Sequence, residues 1–342
     1  MQADEPVAPA RHRSGPLWVR GIPWLLSAGC FYIAYAKIAG AAAREGIGVI
    51  AYLTHFFGEA SWLPWLAVMI PYSVFFFLVD SFVVRCVINW FNAKVRYLDI
   101  LPVRASTYIL ALLNEQVGKG AMALYLYRRD RVPGWQVGSS MLFIAFVEVY
   151  HLLIFSSIGV ATQFELVQRA STQLPLDRIF PAIYIGAACY LVIHLLYFSG
   201  RLLPRFGLRE REILHAFKRA APWHYGAVVL LKAPNLIAAV AVYTVALRLF
   251  HVDVSFGQLL AFLPVIFLAA ALPLPFHAGA YALWVVLFPD YPEVSAFALV
   301  MHTFFVVFNA GIGLLFLPRA NRELFGESGT GRAPAPPSTT GS

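Results

Sequence analysis

The sequence has few charges and few cysteines for its length. Charged residues make up 13% of 342 positions, and only Cys30, Cys86 and Cys189 are cysteines. These three are isolated within or beside apolar runs and form no CxxC spacing, so neither a disulfide framework nor a zinc site is indicated. The GxxxxGK[ST], GxSxG and HExxH motifs are also missing from the sequence, which therefore predicts none of the enzyme classes that depend on them.

Long apolar runs are what the sequence has instead. Hydrophobic residues make up 60% of the chain, and about 20 consecutive apolar residues span a hydrocarbon core as a helix. The sequence therefore predicts an all-α fold, a polytopic helical membrane protein with about six full spans. The net charge of +8 comes mostly from Lys and Arg that fall between the apolar runs, where membrane topology places them, so no nucleic-acid partner is predicted. The six runs lie near residues 22–43, 63–84, 135–157, 179–199, 224–247 and 294–317.

Two further apolar runs, near residues 106–127 and 256–289, do not read as ordinary spans. The first has basic residues on both sides, and the second is interrupted by Pro273 and Pro275 and has acidic residues on both sides. Because positive charge stays on the cytoplasmic side, we expect two re-entrant helical hairpins that enter from opposite sides, as in an inverted repeat. The alternative is eight full spans whose prolines and glycines only kink the helices.

This topology places both termini in the cytoplasm of a bacterial-type cytoplasmic (inner) membrane. Residues 1–18 are then a polar cytoplasmic tail, residues 19–318 a transmembrane domain, and residues 319–342 a disordered cytoplasmic tail rich in Pro, Gly, Ser and Thr. We expect no appended soluble catalytic domain and no removed signal peptide. The oligomeric state is not fixed by the sequence, and a homo-oligomer stays open.

The turn of the first hairpin carries ionisable residues inside an apolar run. The candidates for substrate binding there are Asn114, Glu115, Gly118, Lys119 and Gly120. In one interpretation the glycines let the backbone reverse, so that Lys119 and a helix N-terminus meet a lipid phosphate. In the other, Glu115 and Lys119 form an i,i+4 ion pair that only fixes the turn.

The second hairpin offers His277 and Gly279 after its two prolines. His277 is a candidate donor to an anionic head group, and it changes charge near neutral pH. The competing interpretation is a histidine whose hydrogen bond goes to a carbonyl group.

Lysines within spans are the remaining candidates for binding an anion. Lys232 lies beside Pro234 and Asn235, so a local helix break can turn Lys232 and Asn235 into a cavity, whereas snorkelling to the interface is the alternative for Lys232. Lys37 lies deep in the first span, and Glu148 is a candidate partner for it.

Glu148 and His151 stand three residues apart on one helical face and are candidates for a proton relay. The same spacing occurs in di-iron bundles, but a second such motif is missing, so we predict no metal site and no cofactor. Asp80 and Arg85 are interpreted as interfacial residues near the cytoplasmic end of their span.

Two stretches resemble a known family. The stretch ILALLNEQVGKGAMALYLYRRDRVPGWQVGSSMLF is similar to the turn, basic stretch and following span of the flippase-like membrane region of the lysylphosphatidylglycerol synthase family. The stretch VYTVALRLFHVDVSFGQLLAFLPVIFLAAALPLPFHAGAYALWVVLF is similar to that family's late span, loop and hairpin. The resemblance runs over residues 20–318 and implies that Lys119 supplies the positive charge of the family's arginine. At other family positions the chain differs: Val117 replaces a proline, and His277 and Ala278 replace a glycine pair.

Two hypotheses about function follow. Since no synthetase domain is expected, the resemblance implies a lipid flippase or scramblase, without an enzymatic activity, that moves a membrane phospholipid or another lipid-linked, phosphate-bearing substrate. The alternative is an integral-membrane enzyme that acts on a lipid-linked phosphate or sugar, with Glu148, His151 and His277 as acid and base groups.

Overall fold

The computed structural model describes residues 17–113, 122–128, 131–171, 175–203, 207–271, 274 and 277–325. The described residues form helices and turns without a strand, so the protein is an all-α polytopic membrane protein. In chain order the helices are α1 (Leu17–Arg44), α2 (Val49–Glu59), α3 (Trp62–Phe91), α4 (Tyr97–Leu113), α5 (122–128), α6 (Gly134–Thr162), α7 (Phe164–Ala170), α8 (Leu176–Phe198), α9 (His215–Arg219), α10 (Pro222–Arg248), α11 (Phe256–Ala270), α12 (Ala278–Leu287) and α13 (Glu293–Phe325).

Six of the described helices are long and apolar enough to cross a membrane: α1, α3, α6, α8, α10 and α13. They coincide with the six predicted runs, which are confirmed as helices. Two ends differ most from the prediction. Helix α3 continues to Phe91, although its run was predicted to end at residue 84. Helix α13 continues to Phe325, so residues 319–325, predicted to belong to a disordered tail, are helical instead. Residues 326–342 lie outside the described part of the chain.

The long helices α3, α6 and α10 define two ends of the bundle. At the end that we call lower, Phe91 of α3 contacts Phe143 near the start of α6 and His224 near the start of α10, with ring centroids 5.2 and 5.1 Å away. At the upper end, Trp62 contacts Phe250, just after α10, at 5.2 Å. Helix α3 therefore runs antiparallel to α6 and α10.

The first hairpin region leaves and returns at the lower end. Helix α3 ends there, and Ser140 near the start of α6 donates to the Asn92 side chain at 2.6 Å. Between them, α4 has 17 residues and is about 25 Å long at 1.5 Å per residue. The turn at 114–121 lies outside the described residues, so the re-entrant placement of this hairpin stays a prediction.

The second hairpin region leaves and returns at the upper end. Helix α10 ends there, and Phe250 contacts Phe297 of α13 at 5.5 Å. Helices α11 and α12 have 15 and 10 residues, fewer than the roughly 20 that a full span needs. Each arm is thus too short to cross the membrane as an ordinary helix. Their depth in the bilayer stays a prediction, and Pro273 and Pro275 lie outside the described residues.

The segment between α8 and α10 covers the lower end of α6. It forms two 3₁₀ turns, Gly207–Glu210 and Glu212–Leu214, and then α9. The amide of Ala216 donates to the buried Ser139 hydroxyl of α6 at 2.8 Å, which fixes α9 on the bundle. A hydrogen bond from Lys218 holds the pKa of the exposed Glu210 carboxyl below its usual value.

Candidate functional site

Polar side chains mark the place where the apolar core divides in two. One buried cluster fills the upper part of the bundle and a second fills the lower part, and α3, α6 and α10 contribute to both. On each of these helices the residues between the two clusters include an ionisable group: Asp80 on α3, Glu148 and His151 on α6, and Lys232 on α10. The sequence thus interrupts its apolar core at one level on three helices.

This level lies near the middle of the bundle. Counted at 1.5 Å per residue from the lower helix ends, Asp80, Lys232 and Glu148 are about 15 to 21 Å deep. A hydrocarbon core is about 30 Å thick. The ionisable groups therefore lie at a depth where an unpaired charge costs roughly 2.5–3.5 kcal/mol on insertion scales.

Four charged side chains form a continuous chain of contacts, which we call the mid-bundle cluster. Arg104 of α4 donates from Nε to Oδ2 of Asp80 at 2.7 Å, and Lys232 Nζ lies 4.0 Å from Oδ1 of the same carboxylate. On its other side, Lys232 Nζ lies 2.6 Å from Oε1 of Glu148. Tyr108 donates a long hydrogen bond of 3.4 Å to Asp80 Oδ2. Four helices, α3, α4, α6 and α10, are joined in this way.

The members of the mid-bundle cluster differ in exposure. The side chains of Asp80 and Lys232 are 7% and 6% exposed, whereas that of Glu148 is 45% exposed. With two acids and two bases, the cluster has no net charge. Buried charges require such pairing; the cluster provides it, and Glu148 is its accessible member.

A small cleft opens beside Lys232 and Glu148. Its cavity volume is about 40 Å³, enough for about two or three water molecules. Asn235 and His151 line the cleft and are 6% and 3% exposed, yet Asn235 Oδ1 and His151 Nε2 have no hydrogen-bond partner among the described residues. The amide nitrogen of Asn235 donates to the carbonyl oxygen of Phe76 at 3.3 Å, which leaves Oδ1 as a spare acceptor. The cleft thus has unused hydrogen-bonding groups beside a cation.

An apolar groove runs behind the mid-bundle cluster on the outer surface of α3 and α10. It has a volume of about 430 Å³, and no charged side chain lines it. Val79, Leu231 and Pro234 line the groove and are the immediate chain neighbours of Asp80, Lys232 and Asn235. One seam between two helices therefore has a charged face and an apolar face.

The structure brings together four of the residues singled out from the sequence, whereas His277 and Gly279 do not line the same cleft. Lys232, Asn235, Glu148 and His151 all line the cleft. His277 is not among the residues that line it. Instead, its ring lies 5.3 Å from that of His302 on α13.

Gly279 is buried between α11 and α12, where an added Cβ would lie 3.2 Å from the carbonyl oxygen of Ala269. The two hairpin arms pack so closely here that a side chain at position 279 would crowd this carbonyl group, which accounts for the glycine. Asn114, Glu115, Gly118, Lys119 and Gly120 lie outside the described residues, so their predicted role stays a prediction.

Two interpretations of lysines were wrong. Lys37 does not pair with Glu148, because it donates to the carbonyl oxygen of Pro289 at 2.5 Å. Lys232 does not snorkel to the interface, because its ammonium group is held between two carboxylates inside the bundle.

Sequence reasoning missed Asp80, Arg104 and Tyr108. Asp80 was interpreted as interfacial, but it is 5% exposed and pairs with Arg104. The available signal was the series Arg104, Thr107 and Tyr108, a polar face within an apolar helix. Thr107 accepts from Arg104 at 3.2 Å and helps to orient the guanidinium.

No family model, curated protein or solved structure matches this chain. The described residues contain no group of three His, Cys, Asp or Glu side chains arranged to hold a metal ion. The mid-bundle cluster and its cleft together offer a buried ammonium group, an accessible carboxylate and two unused polar atoms, halfway along a membrane-spanning bundle. These groups suit the binding of an anion and the transfer of a proton.

Proposed function

We propose that this protein is a flippase or scramblase that moves a phosphate-bearing lipid across a bacterial-type inner membrane. The observation that carries the proposal is the mid-bundle cluster, in which Lys232 lies at mid-depth beside a cleft. Intramembrane ionisable residues mark substrate paths and proton relays in transporters. The resemblance to the flippase-like region supplies the lipid as substrate.

The two faces of the α3–α10 seam fit the two parts of a phospholipid. A head group needs a polar, cationic site such as Lys232 with Asn235, whereas acyl chains need an apolar surface such as the groove behind them. In the proposed path the head group passes the cluster while the chains stay on the outer, apolar side. Glu148 and His151 are then placed to exchange protons with the site.

The two hairpin regions support the same proposal. One returns to the lower end and the other to the upper end, as expected for hairpins that enter from opposite sides of a membrane. We place the lower end, with its many Lys and Arg residues, in the cytoplasm. Lys119, in the turn of the first hairpin, is proposed as a second contact for the phosphate.

The enzyme alternative gains no support from the site. It requires Glu148, His151 and His277 to act on one substrate, but His277 does not line the cleft that the other two share.

The test is lipid movement in reconstituted vesicles. Vesicles of neutral phospholipid with a trace of a fluorescent anionic phospholipid are treated with an impermeant quencher, which reaches only the outer leaflet. Protein-containing vesicles should lose more fluorescence than empty ones, and Lys232→Met and Lys119→Ala should reduce this loss. Lys218→Met, which removes an exposed lysine that pairs with Glu210, is the matched control. If vesicles with the wild-type protein lose no more fluorescence than empty vesicles, the proposal is wrong.

A further inference from the structure

We infer that the Glu148 carboxylate occupies the anion site of Lys232, so that an anionic head group binds only by displacing it and Glu148 takes up a proton as it leaves. The inference rests on the proposed function and adds that binding of the anion is coupled to the uptake of a proton. It also implies that the site accepts a ligand with a single negative charge.

The contacts of Lys232 show why Glu148 is the group displaced. Glu148 is the closer of its two acidic partners, at 2.6 Å against 4.0 Å for Asp80. Asp80 is already the acceptor for Arg104 and Tyr108. If Glu148 moves away, the ammonium group of Lys232 keeps no carboxylate within hydrogen-bonding distance among the described residues.

Exposure points to the same residue. Asp80 is enclosed, whereas nearly half of the Glu148 side chain is accessible and it lines the cleft. It can therefore rotate away from Lys232 without breaking the apolar core. The unpartnered Nε2 of His151 and Oδ1 of Asn235 are then available to a ligand that enters the cleft.

Charge balance shows why a proton accompanies the exchange. The mid-bundle cluster is neutral with Glu148 ionised and carries a charge of +1 with Glu148 protonated. A singly charged phosphate diester restores neutrality, whereas adding it beside an ionised Glu148 leaves a net negative charge in a low-dielectric site. Since the bound state holds one more proton than the free state, anion affinity should rise as pH falls.

The contribution of Glu148 to a pH dependence has to be distinguished from that of the other titratable groups near it. They are Lys232 on α10, Asp80 and Tyr72 on α3, Arg104 and Tyr108 on α4, and His151 on α6 itself. Helix α8 brings His194 and Tyr190 against Phe146 of α6, and α11 has no titratable side chain. Of these, His151 lines the same cleft as Glu148 and is therefore the alternative source of a pH dependence that the variants have to test.

The experiment measures binding of dihexanoyl phosphatidylmethanol, a soluble phosphate diester with one fixed negative charge, to the full-length protein in detergent. Calorimetric titrations at pH 6, 7 and 8, each in two buffers of different ionisation enthalpy, give the affinity and the number of protons taken up. For the wild type we expect affinity to rise by up to about tenfold per pH unit of acidification, with uptake approaching one proton. Dihexanoyl phosphatidylcholine, whose head group is zwitterionic, should bind without this proton uptake.

Variants assign the proton to one residue. Glu148→Gln, which mimics the protonated acid, should bind the diester at least as tightly as the wild type at pH 6, with no pH dependence and no proton uptake. His151→Gln and the exposed control Glu165→Gln should keep the pH dependence. Glu148→Asp, which retains the charge on a shorter side chain, should bind more tightly than the wild type at pH 8 while keeping proton uptake.

The outcomes separate this inference from the proposed function. Diester binding that needs Lys232 but is independent of pH in the wild type would overturn the inference and leave the anion site standing. A pH dependence that survives in Glu148→Gln and disappears in His151→Gln would overturn it as well. Failure of both wild type and Glu148→Gln to bind the diester would remove the anion site and, with it, both proposals.

Discussion

Asp80 is the residue whose replacement should most disturb the mid-bundle cluster. In Asp80→Asn the shape of the side chain is kept, but Arg104, Lys232 and Glu148 are left with a net charge of +1. Removing one partner of a buried ion pair costs about 3–5 kcal/mol. Because the Arg104 side chain keeps 26% exposure and can relax, we expect the low end, about 3 kcal/mol.

The measurement is reversible unfolding in mixed micelles, with the mole fraction of sodium dodecyl sulfate raised and tryptophan fluorescence recorded. Asp253→Asn is the matched control, because Asp253 also pairs with an arginine, Arg248, but the two side chains are 88% and 61% exposed. Exposed pairs contribute about 0–1 kcal/mol. Equal costs for the two substitutions would refute the claim that Asp80 neutralises buried charge.

A second substitution tests the mechanism of the loss. Arg104→Gln in the Asp80→Asn background removes the uncompensated charge and leaves only the neutral pair of Lys232 and Glu148. The double variant should therefore be more stable than the sum of the single effects predicts, with a coupling of about 1–3 kcal/mol. Simple additivity would show that packing, and not charge, dominates at this position.

Two further predictions concern the helices around the cluster. Gly159→Ala should destabilise the fold by about 1–3 kcal/mol, because an added Cβ would lie 2.4 Å from the Ala261 amide nitrogen. The same change at Gly186, which has no such neighbour within 4 Å, should have little effect in the same unfolding assay. Single cysteines placed at Ser255 and Glu293, in a variant without the native cysteines, should react with an impermeant maleimide from the same side of oriented vesicles. Labelling from opposite sides would exclude the second hairpin.

Helix positions could be predicted from the sequence better than helix ends. All six spanning helices follow from apolar runs of sufficient length, because burial in lipid requires such runs. The end of α3 did not follow, since Arg85 was taken as its limit. In the structure the Arg85 guanidinium lies 5.9 Å from the Phe82 ring and the helix continues for six more residues. Asp80 is consequently almost two turns deeper than the run alone indicates.

Only part of the candidate site could be predicted, and the reason is related. Lys232 and Glu148 stand out individually, because charges within apolar runs are rare. Their pairing depends on how α6 and α10 face each other, and a single sequence contains no information on contacts between distant helices. Lys37 was for that reason assigned to the wrong partner. Arg104 is one of the basic residues that flank the apolar run near residues 106–127 and was counted only in that role, although its position on α4 turns it toward Asp80.

The order of the charged residues along the chain has a consequence for biogenesis. Asp80 and Arg104 lie on consecutive helices, so α3 and α4 can leave the translocon as a unit that is already neutral. Glu148 follows on α6, well before its partner Lys232 is synthesised on α10. Until then α6 holds an acidic side chain in lipid without the lysine that it pairs with in the folded bundle, which is costly at mid-depth. The ammonium group of Lys232 pairs with Glu148 only once α10 packs beside α6, so neutralisation of the cluster is completed late, by the fifth of the six spanning helices to be made.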